Sequence, residues 1–104
     1  MVTSSEFYIL LALRDRPSHG YEILKAVQAG SLGQIKMGPA TLYTTLKRLL
    51  DARLIVEVDG PAHEDARRRY YRLSAGGRNA LDQELERMEE ALRLARRRPA
   101  AARS

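Results

Sequence analysis

The residues with the clearest chemical potential lie on one face of a helix predicted between Pro39 and Ala52. An apolar stripe that begins at Leu42 is expected to be buried, which leaves hydroxyl and cationic side chains on the opposite face. These side chains are Thr41, Tyr43, Thr44, Thr45, Lys47 and Arg48. Threonines are short enough to let a helix approach a DNA major groove, and Arg and Lys bind guanine edges or phosphates. This face predicts a recognition helix. The alternative is an ordinary solvent-exposed face, but three threonines are poor helix formers that such a face has little reason to use.

A second cationic group, Arg67, Arg68 and Arg69, begins at the end of a polar segment at residues 59–67. This segment is too long and too polar for a tight hairpin and predicts an exposed loop between two strands. Guanidinium groups beside such a loop can contact DNA phosphates or enter the minor groove. Glu64 and Asp65 either restrain the loop when DNA is absent or are simply solvated. A solvated charge run is also the alternative for the arginines themselves.

No group of residues in the sequence has the spacing of a catalytic or metal site. The two histidines, His19 and His63, are far apart, and there is no cysteine, which excludes disulfides and thiolate ligands. We expect His19 to cap or pack a helix and His63 to be solvated. A phosphate-cradling glycine loop and a Ser, His and acid motif are both missing. We therefore predict no enzyme activity, no metal and no cofactor.

Local signals predict three short helices that would position the recognition face. Thr3 and Glu6 have the spacing of a capping box at the start of the first helix. Ser18 is predicted as the N-cap of the second helix, and Pro39 occupies the favoured first position of the third. The predicted helices run to about Arg14, from Ser18 to Gly30, and from Gly38-Pro39 to about Ala52.

The pattern changes from helical to strand-like after the third helix. Residues 54–58 are an apolar run rich in β-branched side chains, and residues 69–73 alternate large and charged side chains. Three helices followed by strand, loop and strand is the order of a winged helix-turn-helix. The predicted fold is mainly α with a small β-hairpin wing (α+β). It comprises a DNA-binding domain at 1–74, a dimerisation helix at 75–98 and a disordered tail at 99–104.

The final helix carries a narrow apolar seam that needs a partner. Its members, in steps of four and three, are Leu81, Leu85, Met88, Leu92 and Ala95. The seam packs either on its own domain or on another subunit, and the small size of the domain favours a subunit. Acidic residues come early in this helix and arginines late, which favours an antiparallel partner helix.

Composition limits the function to that of one small basic domain. The chain has 104 residues, a formal charge of +5 and a pI near 10.0. This charge favours a polyanionic partner, either nucleic acid or an anionic membrane surface, although a merely basic soluble protein would share it. The opening residues are too short and too interrupted for a secretory signal or a membrane span. We predict a cytoplasmic protein without a membrane partner.

Three segments, taken in order, resemble the short subgroup of PadR family bacterial repressors over residues 5–95. They are His19-Gly20-Tyr21-Glu22-Ile23, Gly38-Pro39-Ala40-Thr41-Leu42-Tyr43 and Arg69-Tyr70-Tyr71-Arg72-Leu73-Ser74-Ala75-Gly76-Gly77. The resemblance implies a repressor that binds a palindromic double-stranded operator as a homodimer. In some members a small aromatic or drug-like compound releases the DNA.

The resemblance also assigns roles to individual residues. DNA contact carries over to Thr41, Tyr43, Thr44, Lys47 and Arg67–Arg69, whereas Tyr21 either contacts phosphate or packs on the third helix. Dimerisation through the final helix and the partner's first helix adds Phe7, Tyr8 and Leu11 to the seam. Phe7, Tyr8, Met88 and Leu92 either line an apolar effector cavity or are plain core.

The sequence departs from the family pattern in two places, and two other functions stay open. Ala52-Arg53 stands where the family usually has a glycine before the wing, so this turn is expected to differ. The chain has no tryptophan, which some short members use to stack flat ligands. The other functions are a winged-helix module that binds protein and sequence-independent coating of DNA.

Overall fold

The computed structural model describes residues 2–62 and 67–97. In this part of the chain the elements are α1 (Ser4–Ala12), β1 (Ser18–His19), α2 (Gly20–Gly30), α3 (Pro39–Asp51), β2 (Ile55–Val58), β3 (Tyr70–Leu73) and α4 (Ala75–Arg96). Helices combined with a small antiparallel sheet confirm the predicted winged-helix class. The tail predicted as disordered at 99–104 and the loop residues His63, Glu64 and Asp65 lie outside the described residues.

Helix α1 begins at the predicted capping box. The hydroxyl of Thr3 accepts the backbone N–H of Glu6 at 3.1 Å, and a Glu6 carboxylate oxygen accepts the backbone N–H of Thr3 at 2.8 Å. Both bonds satisfy backbone donors that the first helical turn leaves without partners. The helix ends at Ala12, two residues before the predicted end at Arg14.

The prediction that Ser18 caps α2 is wrong, because His19 is the N-cap. The Nδ1 atom of His19 accepts the backbone N–H of Glu22 at 3.3 Å, and the Glu22 carboxylate accepts the backbone N–H of His19 at 3.1 Å. Ser18 instead pairs with Tyr71 in the sheet. Serine is the commoner cap, but pairing with a distant strand moves the cap one residue along the chain.

The sheet has three antiparallel strands in the order β1-β3-β2. Strands β2 and β3 form the predicted wing hairpin, with Ile55 opposite Leu73 and Val58 opposite Tyr70. Strand β1 was not predicted, because its two residues are too few to show an alternating pattern. Because β1 leads directly into α2, the sheet joins the wing to the start of that helix.

The turn after α3 adopts the left-handed backbone conformation without a glycine. Arg53 has a φ of 62°, at the turn where the resemblance led us to expect a difference from the family. The Ser74 hydroxyl donates to the carbonyl of Arg53 at 2.6 Å and accepts the backbone N–H of Gly77 at 3.0 Å. Ser74 thus caps α4 as predicted and ties that helix to the turn.

The hydrophobic core lies between the helices and one face of the sheet. Its largest fully buried side chains include Leu10, Ile23, Leu46, Tyr71 and Leu81. Helix α4 contributes Leu81 to this core, but every described residue from 86 to 97 is exposed. The second half of α4 therefore projects from the domain. Among the described helices, none is both long and apolar enough to cross a membrane.

Candidate nucleic-acid interface

Helix α3 presents most of the predicted recognition face to solvent. Thr41, Tyr43, Thr44, Lys47 and Arg48 are exposed. They surround the side opposite the buried leucine stripe, where a helix entering a groove would make its contacts. A shallow depression of about 230 Å³ lies on this surface, lined by Ala40, Thr41, Thr44, Thr45 and Arg48.

The prediction that Thr45 lies on the exposed face is wrong. Its side chain is buried, with 3% of its surface exposed, and its hydroxyl donates to the backbone carbonyl of Thr41 at 2.8 Å. At about 100° of rotation per residue, Thr45 lies closer to Leu42 and Leu49 than to Thr44 around the helix axis. The position of Thr45 on the buried side could therefore have been predicted from the helical spacing. Thr45 is therefore a packing residue.

The two cations of this face have different partners. Lys47 pairs with Asp51 on the same helix at 3.3 Å, and both side chains are largely exposed. The Nε atom of Arg48 lies 3.7 Å from a carboxylate oxygen of Glu6, which belongs to α1. The first is an exposed pair within one helix and contributes little to stability, whereas the second joins two helices.

A cationic pocket adjoins the recognition face. It has a volume of about 440 Å³ and is lined by His19, Gly20, Tyr21, Tyr43, Arg67, Arg68 and Arg69. Tyr43 belongs to α3, so the pocket is continuous with the recognition face. Three arginines and the positive N-terminal end of α2 give the pocket the electrostatic character of an anion site. The arginines and tyrosines of this pocket were predicted as interface residues from the sequence, whereas His19 and Gly20 were not.

Gly20, the first residue of α2, has no side chain, and this leaves room for Tyr43 of α3 in the pocket. A Cβ atom at Gly20 would lie 2.5 Å from the Tyr43 hydroxyl oxygen. Tyr21 next to it is 65% exposed, and the ammonium of Lys25 lies 5.3 Å from its ring centre. This exposure argues against packing on the third helix as the role of Tyr21.

His19 connects the wing to α2. Its Nε2 atom lies 2.9 Å from a terminal nitrogen of Arg68, and its ring meets the edge of Tyr70 at 5.3 Å between centroids. A neutral imidazole has a single acceptor nitrogen. The ring therefore cannot accept from Arg68 and from the Glu22 N–H at once, and the α2 cap and the wing compete for it.

Tyr71 belongs to the wing strand β3, and its side chain is buried in the core. Burial raises the pKa of its hydroxyl above the ordinary value of 10.0, and the negative charge of Glu57 acts in the same direction. The positive charge of Arg69 opposes the shift in pKa. The neutral phenol is thus the form that the folded domain favours.

The residues predicted for the dimer interface differ in burial. Phe7 and Leu81 are buried in the protomer's own core, which corrects their assignment as dimer-interface residues. Tyr8, Leu11 and Leu85 are partly buried, whereas Met88, Leu92 and Ala95 are exposed.

In the described residues, no three His, Asp or Glu side chains are grouped closely enough to hold a metal ion.

Comparison with known proteins agrees with this geometry. Residues 9–83, well over half of the chain, match the transcriptional regulator PadR-like family. The chain belongs to the PadR-like family. The matched residues of this PadR-like chain include β1, α2, α3, the wing strands and the first part of α4. The resemblance stated from the sequence motifs is confirmed, and the family is one of transcriptional regulators rather than enzymes.

Individual proteins of similar sequence or fold agree with this assignment. An uncharacterised 37.1 kDa protein in transposon TN4556 of Streptomyces fradiae is 34% identical over 84 residues, which are 81% of this chain and 23% of that protein. The chain thus spans about a quarter of this relative's length. A PadR family transcription regulator from Clostridium difficile R20291 is 24% identical, with a TM-score of 0.74 over 88% of this chain and 94% of the other. Bacillus subtilis PadR, solved in complex with operator DNA, is 22% identical, with a TM-score of 0.65 over 77% of this chain and 46% of the other. These two structures share the fold.

Proposed function

We propose that this PadR-like chain is a sequence-specific transcriptional repressor that binds a palindromic operator as a homodimer. The observation that carries the proposal is the continuous surface formed by the exposed face of α3 and the cationic pocket. On it, short hydroxyl side chains stand beside Arg48, and Tyr43 leads from the helix into the arginines of the wing. One surface thus combines groups that read bases with groups that bind phosphates.

The two parts of the surface have separate tasks in this proposal. Thr41, Thr44 and Arg48 enter the major groove with α3 and contact base edges. Arg67, Arg68 and Arg69 bind backbone phosphates at the pocket, together with Tyr21. Phosphate contacts supply affinity for any duplex, whereas base contacts supply the preference for one sequence.

The projecting half of α4 supports dimerisation in this proposal. Met88 and Leu92 are 45% and 48% exposed on its seam, and Glu90 forms an ion pair with Arg93 on the polar side. A second copy in antiparallel orientation would cover the seam and place early acids against late arginines. A two-fold axis of this kind presents two recognition helices to two related half-sites, which accounts for a palindrome.

A binding measurement on the intact protein tests the proposal. Fluorescence anisotropy compares duplex DNA from immediately upstream of its own gene with a scrambled duplex of equal length, across a salt series. We expect a preference of about a thousandfold or more near physiological salt, with two protomers per site. Equal affinities that fall together with salt would indicate sequence-independent coating, and binding to neither duplex would favour a protein-binding module.

Variants separate the two tasks. Arg48→Ala and Thr44→Ala are expected to relax base choice, by about 1–3 kcal/mol for a bidentate arginine. Arg68→Ala is expected to weaken every duplex alike and to lower the salt dependence. The matched control is Arg14→Ala, which removes an exposed arginine just after α1 that pairs with Asp15, and it should leave DNA binding unchanged. Identical behaviour of all three interface variants would contradict the division of roles.

Release of DNA by a small apolar compound is the finer part of the proposal. In one protomer the groove along the end of α4 has a volume of about 520 Å³ and is open, lined by Glu89, Leu92, Arg93, Arg96 and Arg97. A partner helix would close it and create an enclosed site beside the seam. A compound screen that finds nothing able to weaken operator binding would count against this part alone.

A further inference from the structure

Glu6 is the acidic residue that α1 places against the recognition helix. Its side chain is 14% exposed, and one of its oxygens lies 3.7 Å from Nε of Arg48. The two residues are distant in sequence, so the pair depends on the packing of α1 on α3. None of the DNA contacts proposed above involves Glu6.

The carboxylate of Glu6 is held in place by the start of its own helix. Its other oxygen accepts the backbone N–H of Thr3 at 2.8 Å in the capping box. Phe7, the next residue, is buried in the core, so this turn of α1 is fixed. The carboxylate is therefore an ordered group, unlike the exposed carboxylate of Asp51 that pairs with Lys47.

A fixed carboxylate restricts the conformational freedom of the Arg48 side chain before DNA binds. Its side chain is 60% exposed and has several rotatable bonds, so an unrestrained guanidinium would lose conformational freedom on binding DNA. A carboxylate beside Nε restricts that freedom, and a contact made at Nε does not use the two terminal amino groups. Those two groups are the ones that form paired hydrogen bonds with guanine O6 and N7.

We propose that Glu6 is a positioning residue that orients Arg48 for base reading. The inference rests on the proposed function, because it requires Arg48 to contact the operator. Glu6 also places a negative charge near the DNA, which opposes binding to any duplex. Loss of its charge is therefore expected to reduce the preference for the operator while non-specific affinity stays constant or rises.

The test measures the ratio of operator to scrambled-duplex affinity in wild type, Glu6→Gln, Arg48→Ala and the double variant. Glutamine at the third helical position preserves a capping box, so thermal unfolding should stay near that of wild type. We expect Glu6→Gln to lower the ratio about tenfold, within the range of one bidentate contact. In the Arg48→Ala background the same change should have no effect on the ratio.

Asp51→Asn is the matched control, because it removes one negative charge from an exposed pair on α3 itself. It should raise affinity for both duplexes alike and leave the ratio unchanged. If Glu6→Gln unfolds the protein, Glu6→Asp keeps the charge but shortens the reach, and the ratio should still fall. This second variant keeps the question of position separate from that of net charge.

The outcomes distinguish the two proposals. A wild-type protein without preference for any duplex overturns the proposed function. A specific wild type whose ratio survives Glu6→Gln overturns the positioning role alone. Equal losses of ratio in Glu6→Gln and Asp51→Asn, or a loss by Glu6→Gln that persists in the Arg48→Ala background, also overturn it, because neither depends on the contact with Arg48.

Discussion

At the residue scale, Gly77 marks the closest approach of two backbone segments. A Cβ atom at this position would overlap the carbonyl oxygen of Leu54, which belongs to the turn before the wing. Backbone atoms cannot move aside as a flexible side chain can. The glycine therefore sets how tightly α4 packs on the domain.

We expect Gly77→Ala to lower the free energy of unfolding by about 3 kcal/mol or more, because the clash forces a backbone shift. Urea denaturation followed by circular dichroism measures the change. Gly76→Ala is the neighbouring control, since its Cβ would meet nothing closer than 3.6 Å. That variant should be neutral or stabilising by about 0.5 kcal/mol, and similar losses in both variants would contradict the packing argument.

The raised pKa of Tyr71 predicts a loss of stability in alkali. Below pH 10 both folded and unfolded chains carry the neutral phenol, so its contribution is complete. As pH rises through the raised pKa of the folded state, the unfolded state is favoured because it releases this proton more readily. Glu57, Tyr43 and Arg69 are the titratable groups that act on the hydroxyl.

Urea denaturation at pH 9 and pH 11 tests this dependence. The free energy of unfolding should fall less between these values in Tyr71→Phe than in wild type. Tyr21→Phe, which alters an exposed tyrosine, should keep the wild-type dependence. An unchanged pH dependence in Tyr71→Phe would show that other groups cause the alkaline loss.

At the scale of elements, the start of α2 and the recognition helix are coupled through Gly20. The ring of Tyr43 occupies the space that a side chain at Gly20 would need. Since the contact is with the end of a flexible side chain, a methyl group should displace Tyr43 with little cost in stability. Such a change would move one wall of the cationic pocket.

Gly20→Ala is therefore expected to weaken operator binding by about two- to tenfold, the equivalent of one hydrogen bond. Anisotropy measures the affinity, and thermal unfolding should change little. Gly30→Ala, at the other end of α2, would make only an ordinary 3.6 Å contact with Tyr8 and is expected to bind like wild type. Equal affinities for the two variants would place Tyr43 outside the interface.

At the scale of the whole molecule, the projecting half of α4 is the surface that a second protomer is proposed to cover. Leu92 and Leu94 are both 48% exposed, yet only Leu92 lies on the seam. A charge on the seam would be buried in a dimer, whereas a charge at Leu94 would stay in water. These two leucines are thus a matched pair for testing the geometry.

Leu92→Glu should convert the protein from dimer to monomer at micromolar concentration, and Leu94→Glu should leave it dimeric. Sedimentation velocity measures the mass of each. Operator affinity should fall with loss of the dimer, because one protomer contacts one half-site. A dimer that survives Leu92→Glu but not Leu94→Glu would assign the interface to the other face of the helix.

The sequence by itself determined the features that repeat over short distances. The capping box at Thr3, the leucine stripe of α3 and the cap at Ser74 each depend on neighbours within about one helical turn. The order of helices and strands then predicts the winged fold, and the three motif segments indicate the PadR-like family. All of these signals are local or concern the order of elements, and a linear sequence contains both.

Tertiary structure decided which side chains meet across the fold. It placed His19 at both the α2 cap and the wing, and it set Glu6 beside Arg48. It also buried Phe7 in the protomer, although its position in a short, largely apolar helix allows an interface role equally well. Such pairings join residues tens of positions apart, and their energies depend on packing that no local pattern specifies. The elements of the interface were therefore predictable from the sequence, whereas the contacts that orient its side chains were not.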